Sequence, residues 1–110
     1  MKILKFNESS LPKQVNRHEF YKKRDSHKFL LFTDKERQSM LDVLYKKREK
    51  KEIRWSLSDC FIEIYKPRIH SEIVKLDDEW FTVIDGSEHG SDTYYVCDTF
   101  DEVIAYLNQL

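Results

Sequence analysis

Glycine, proline, cysteine and alanine are all scarce in this chain: two, two, two and one among 110 residues. The two glycines, Gly86 and Gly90, share one stretch and neither stands between a strand and a helix, so a phosphate-cradling loop is excluded. Cys60 and Cys97 are too few for a disulfide framework. Both lie among apolar, strand-like neighbours, the pattern of reduced, buried thiols in a cytosolic compartment. The histidines His18, His27, His70 and His89 stand singly, without the spacing a zinc site needs, and no metal or other cofactor is expected. No apolar run approaches the roughly 18 to 20 residues that span a bilayer, and Met1 to Phe6 is too short and too charged for a signal peptide. The expectation is a soluble, cytoplasmic protein with no membrane partner.

Aromatic residues, by contrast, are plentiful. Seven Phe, six Tyr and two Trp within a hydrophobic content of 40% can bury enough area for a core, and the length suits one domain, residues 1–110. The formal net charge of −1 conceals an asymmetry. Residues 1–56 hold sixteen Lys/Arg against eight Asp/Glu, a surplus of +8, while residues 57–110 hold three against twelve, a balance of −9. A basic half and an acidic half predict a molecule with two electrostatic poles.

Ile3 to Phe6 reads as a short edge strand, and residues 13–28 as irregular with a helical turn or two, because Val15, Phe20 and Tyr21 follow no period. Thr33-Asp34-Lys35-Glu36 is a capping box. It starts a helix at about Asp34 that ends near Lys50, with Met40, Leu41, Leu44 and Tyr45 as its core stripe. The period then falls to two. Residues 55–65 predict one strand, ended by Pro67, with further strands at 72–76 and 79–84 joined by a hairpin at Asp77-Asp78. Residues 85–92 hold both glycines and predict an exposed loop before a fourth strand at 93–97. Thr99-Phe100-Asp101-Glu102 repeats the capping box, and Phe100, Val103, Ile104 and Leu107 make a short amphipathic helix. The fold class expected is α+β in two layers, an antiparallel meander of three or four strands covered on one face by two helices. Met40, Leu41, Leu44, Ile62, Ile64, Val83, Val96, Val103, Ile104 and Leu107 should share the core.

Catalytic patterns find little support. Ser87 and Ser91 flank His89, but in a loop without the rigid surroundings a nucleophile needs, so a small hydrolase at residues 85–92 ranks third among the readings. Asp77-Asp78-Glu79 is explained by turn formation and Asp101-Glu102 by helix capping. Charge is more informative. Lys46, Lys47, Arg48, Lys50, Lys51 and Arg54, with Trp55 beside them, are the residues a nucleic-acid-binding surface within residues 13–54 would use to neutralise phosphates. Against that, a helix C-terminus attracts lysines for dipole reasons alone, and Glu49 and Glu52 dilute the run. Asp77, Asp78, Glu79, Asp85, Glu88 and Asp92 would instead form an acidic pole for a basic surface on a partner protein.

In the last third of the chain, Asp77-Asp78-Glu79-Trp80-Phe81-Thr82-Val83 and Tyr94-Tyr95-Val96-Cys97-Asp98-Thr99-Phe100-Asp101-Glu102-Val103 resemble small uncharacterised proteins encoded by phages and other DNA viruses. The resemblance implies an accessory or host-interaction role and brings no catalytic residues. The function expected first is therefore a non-enzymatic module that docks a protein partner, and the second is nucleic-acid binding.

Overall fold

In a computed structural model, which describes residues 12–77, 80–87 and 92–110, the chain is α+β. In chain order the elements are β1 (Lys13–Val15), α1 (Arg17–Ser26), α2 (Asp34–Arg48), β2 (Arg54–Leu57), β3 (Phe61–Lys66), β4 (Ile69–Lys75), β5 (Phe81–Ser87), β6 (Thr93–Cys97) and α3 (Phe100–Gln109). The strands form one antiparallel sheet in the order β1-β6-β5-β4-β3-β2, a five-strand meander to which β1 adds itself beside β6.

Six strands replace the three or four expected, for two local reasons. Residues 55–65 are not one strand: the chain turns at Ser58 to Cys60, where the Ser58 N–H and hydroxyl both donate to the Phe61 carbonyl, at 2.9 and 3.1 Å. Residues 13–28 are not irregular either. Val15 pairs opposite Tyr94 in β1, and Asn16 then caps α1, its side-chain oxygen accepting from the Glu19 N–H at 2.8 Å. The expected strand at Ile3 to Phe6 lies outside the described residues. The β3–β4 hairpin turns through Pro67 and Arg68, and Arg68 occupies the left-handed region at φ 70°, where a type II turn ordinarily takes glycine.

The pairing register sorts side chains onto two faces. Ile62, Ile64, Ile73, Phe81, Val83 and Cys97 point to the face covered by α2 and α3, where Met40, Leu44, Val103 and Leu107 close the main core. Both capping boxes are formed, Thr33 with Glu36 and Thr99 with Glu102. The stripe of α2 is centred differently from expectation. Met40 and Leu44 are fully buried and Val43 packs beside them, while Leu41 is only half-buried and Tyr45 is 55% exposed. Ile104 is likewise half-buried.

The opposite face is not bare. There α1 lays Phe20 against Tyr94, with ring centroids 4.9 Å apart, and Arg24 reaches Glu72 at 2.9 Å. Val96, expected in the main core, is buried on this second face instead, since it alternates with Tyr95 and Cys97. The two-layer expectation is thus corrected to a sheet with two helices on one face and a short third helix over the β4–β6 part of the other. Cys97 is fully buried, and its thiol is pushed well up by desolvation and then by Glu102 and Asp98; Cys60, in the β2–β3 turn, is only half-buried, contrary to expectation.

Candidate interaction surface

Helices α2 and α3 run side by side in the same direction. Glu36 in the first turn of α2 meets Lys75 at the end of β4, and α3 begins directly after Cys97, which pairs with Phe81 beside that same Lys75. At the other end, the Lys47 ammonium donates to the Asn108 backbone oxygen at 2.6 Å. Both helix dipoles therefore point the same way, and the charges complement them. The lower end, where the helices start, carries Asp34, Glu36, Asp101 and Glu102. The upper end, where they finish, carries Lys46, Lys47, Lys50, Lys51 and Lys66.

The predicted basic run is brought together at this upper end, but its members do different work. Lys51 and Lys66 donate to the Leu110 backbone oxygen at 3.1 and 2.7 Å, and together with Lys47 they satisfy carbonyls that the end of α3 leaves open. Partial burial lowers the Lys47 pKa, and the neighbouring charges of Lys51 and Lys66 lower it further. Lys46, Lys50 and Arg54 are exposed. A shallow depression of about 600 Å³ between the helix ends is lined by Val43, Lys46, Lys47, Lys50 and Asn108.

On the other flank of α2, toward β2, stands an aromatic pair that the sequence showed only by half. The Tyr45 ring meets Trp55 edge-on, with centroids 5.1 Å apart and planes at 84°, and the Arg48 guanidinium lies 5.7 Å from the Trp55 centroid. Trp55 belongs to β2, the last strand of the sheet, so the cluster sits at the sheet's open margin.

The acidic residues are not brought together in the same way. Asp77 follows the end of β4, whereas Asp85 pairs opposite Ser71 near its start; six residues separate those levels, about 20 Å along the strand. Asp77 is engaged: its carboxylate lies 2.8 Å from His27 Nδ1, and hydrogen bonding from the Lys28 backbone and His27 holds its pKa down. Asp92 is exposed, and Asp78, Glu79, Glu88, His89 and Ser91 lie outside the described residues.

Nor is Asp85 a surface loop residue, because β5 continues to Ser87. A Cβ at Gly86 would stand 3.1 Å from the His70 carbonyl, so glycine there allows β4 and β5 to stay paired. Asp85 lines a cleft of about 330 Å³ with Lys66, Ile69, Tyr95 and Tyr106. Beneath it the Ser71 and Tyr106 hydroxyls are 2.5 Å apart and buried, tying α3 to the sheet. Desolvation raises the Asp85 pKa, opposed by Lys66 and by a bond from Ser71, and burial likewise raises the phenol of Tyr106. A carboxyl whose pKa is higher folded than unfolded holds its proton more tightly in the native state, so its contribution is full at low pH and lost as pH rises through the folded value. Asp85→Asn is therefore expected to gain stability relative to the parent between about pH 4 and neutrality. Urea midpoints across that range check it, and a constant difference between the two proteins would contradict it.

On the second face, beyond the reach of α1, Tyr65 and His70 stack with centroids 5.0 Å apart, and both bond Glu63, at 2.8 and 3.1 Å. These bonds lower the Glu63 pKa and raise that of the Tyr65 phenol. This cross-strand group was not legible beforehand, since it depends on the β3–β4 register. Among the described residues, no group of three or more His, Cys, Asp or Glu is placed to hold a metal ion, and no helix is long and apolar enough to cross a membrane. Comparison with known protein families, curated proteins and solved structures returns no match for this chain.

Proposed function

We propose that the protein is a non-enzymatic interaction module that docks an acidic segment of a partner protein at its upper end, around Tyr45, Arg48 and Trp55. The Tyr–Trp–Arg cluster, with Tyr45 and Arg48 exposed and Trp55 half-buried, carries this reading. These three residue types dominate binding hot spots, because Tyr and Trp bury large areas with few rotatable bonds and Arg adds a planar, multi-donor cation. Arg54, next to Trp55 in β2, and Arg48 itself supply the positive charge that speeds association with carboxylates. Two of the carboxylates weighed for acid–base chemistry hold the fold together. Glu102 accepts from the Asp98 and Thr99 amides at 2.6 and 3.0 Å, and Asp77 is held by His27 and Lys28. The half-buried Asp85, at the opposite end of the sheet from Asp77, makes a continuous acidic docking pole the weaker choice.

A nucleic-acid reading of the same surface is favoured by one observation, the exposed Tyr45 ring among cations, which resembles a base-stacking platform. It ranks second because Lys47 and Lys51 already donate to α3, leaving fewer charges for a polyanion.

Fluorescence titrations over a range of salt separate the two, using a short peptide that alternates leucine and glutamate and, in parallel, single-stranded and duplex oligonucleotides. The parent is expected to bind the peptide more weakly as salt rises, and Tyr45→Ala and Arg48→Glu to lose about tenfold each or more. Asp77→Asn, at the far end, should bind as the parent does. Tighter binding of an oligonucleotide, lost in the same two variants, would establish the second reading, and absence of both would end the docking proposal.

A further inference from the structure

We infer that the partner segment docks by adding a strand to the open edge of β2. This rests on the docking reading above and gives it a geometry. β2 is the last strand of the sheet, and among the described residues nothing pairs with its outer side. The Ser58 N–H donates to the Phe61 carbonyl, and antiparallel alternation from that bond turns the peptide groups of Ser56 and Arg54 toward β3. Those of Trp55 and Leu57 then point outward. The free N–H and C=O groups of two residues are thus presented beside the aromatic cluster, the template that strand addition uses.

The same alternation sets the chemistry of the incoming segment. Trp55 and Leu57 direct their side chains to the α2 face, where both pack against the margin of the core, while Arg54 and Ser56 face the other way. A strand laid alongside therefore places one set of alternate residues against Trp55 and Leu57 and the other set near Arg54. Cross-strand pairing favours apolar residues in the first set and carboxylates in the second, with Arg48 attracting a further acidic residue at the segment's end. The occupant that fits is an extended partner segment alternating apolar and acidic residues. A second copy of this chain fits worse: pairing β2 with itself about Ser56 sets Arg54 opposite Ser58 and offers it no carboxylate, which the acidic set of the partner segment supplies.

The experiment uses the full chain and the same leucine–glutamate peptide, in three forms: unmodified, N-methylated at alternate residues along one edge, and N-methylated along the other. Strand addition needs the amides of only one edge, so one methylated form should bind at least about tenfold more weakly while the other keeps the parent affinity. Hydrogen exchange at the Trp55 and Leu57 amides should slow when the unmodified peptide is bound. Leu57→Pro removes an outward donor and no β2–β3 ladder bond, and should weaken binding by a similar factor. The two methylated peptides are measured against the unaltered protein, so they remain decisive if that variant does not fold. Equal binding of all three peptides, with Arg48→Glu still harmful, would overturn strand addition and leave the docking reading standing. Concentration-dependent dimerisation that protects the same two amides without peptide would assign the edge to a second copy and overturn the inference.

Discussion

Glu36→Ala is expected to lower stability by about 3 to 5 kcal/mol, the cost usual for leaving one member of a buried ion pair alone. Lys75 projects from β4 into the face covered by α2, and its side chain is 11% exposed. Its ammonium meets both Glu36 oxygens, at 2.9 and 3.2 Å, and lies 5.9 Å from the Phe81 ring centroid. The same carboxylate accepts from the Thr33 N–H at 2.8 Å, closing the capping box. One side chain thus joins the start of α2 to the sheet, and its removal strands a positive charge and an amide together. Lys75→Met should be milder, since the Glu36 carboxylate keeps its bond from the Thr33 N–H. Combining Lys75→Met with Glu36→Gln should recover most of the loss, because a neutral pair needs no counter-charge and glutamine still accepts from Thr33. Urea unfolding of the three variants measures this; a double variant as unstable as Glu36→Ala would show that the pair is more than mutual neutralisation.

Elements marked by a capping box or a regular apolar period were readable from the chain alone, the strand at 93–97 among them, and what depends on which strands and helices meet was not. Both capping boxes are local, so α2 and α3 began where Thr33 and Thr99 indicated. Helix α1 has an equally local cap at Asn16, but it buries only Phe20, which leaves no period to detect. Tyr45 follows Leu44 by 100° around the helix. That rotation takes it off the buried stripe and onto the margin, where it meets Trp55 once α2 crosses β2. Trp55 was visible beside the basic run, and its partner required the tertiary crossing. The acidic residues were grouped because they are near one another in sequence. A hairpin sends the two ends of β5 to opposite ends of the sheet, and Asp85 pairs into β4 because Gly86 permits close approach where loop composition predicted exposure.

Phe20→Ala should release α1 from the sheet while leaving the main core intact. Phe20 is 1% exposed and is the helix's only buried residue, packed between Tyr21 and Tyr94 with ring centroids 5.3 and 4.9 Å away. The other ties of α1 lie near the surface: Arg24 to Glu72, with side chains 23% and 26% exposed, the Lys23 ammonium over the Trp80 ring, and the exposed Tyr21 ring 5.8 Å from that of Tyr94. Such contacts contribute about 1 kcal/mol or less apiece, whereas truncating a buried phenylalanine costs about 3 to 5 kcal/mol. The loss therefore exceeds what the remaining ties can supply, and ten residues have little helical stability of their own. Backbone amides of residues 17–26 should lose hydrogen-exchange protection, and Tyr94 and Val96 should become accessible. Amides beneath α2 and α3 should keep theirs, because Ile62, Ile73 and Val83 are buried on the opposite face by Met40, Leu44 and Leu107. A uniform loss of protection across the molecule would show instead that α1 and the main core unfold as one cooperative unit, coupled through the β5 and β6 residues that the two faces share.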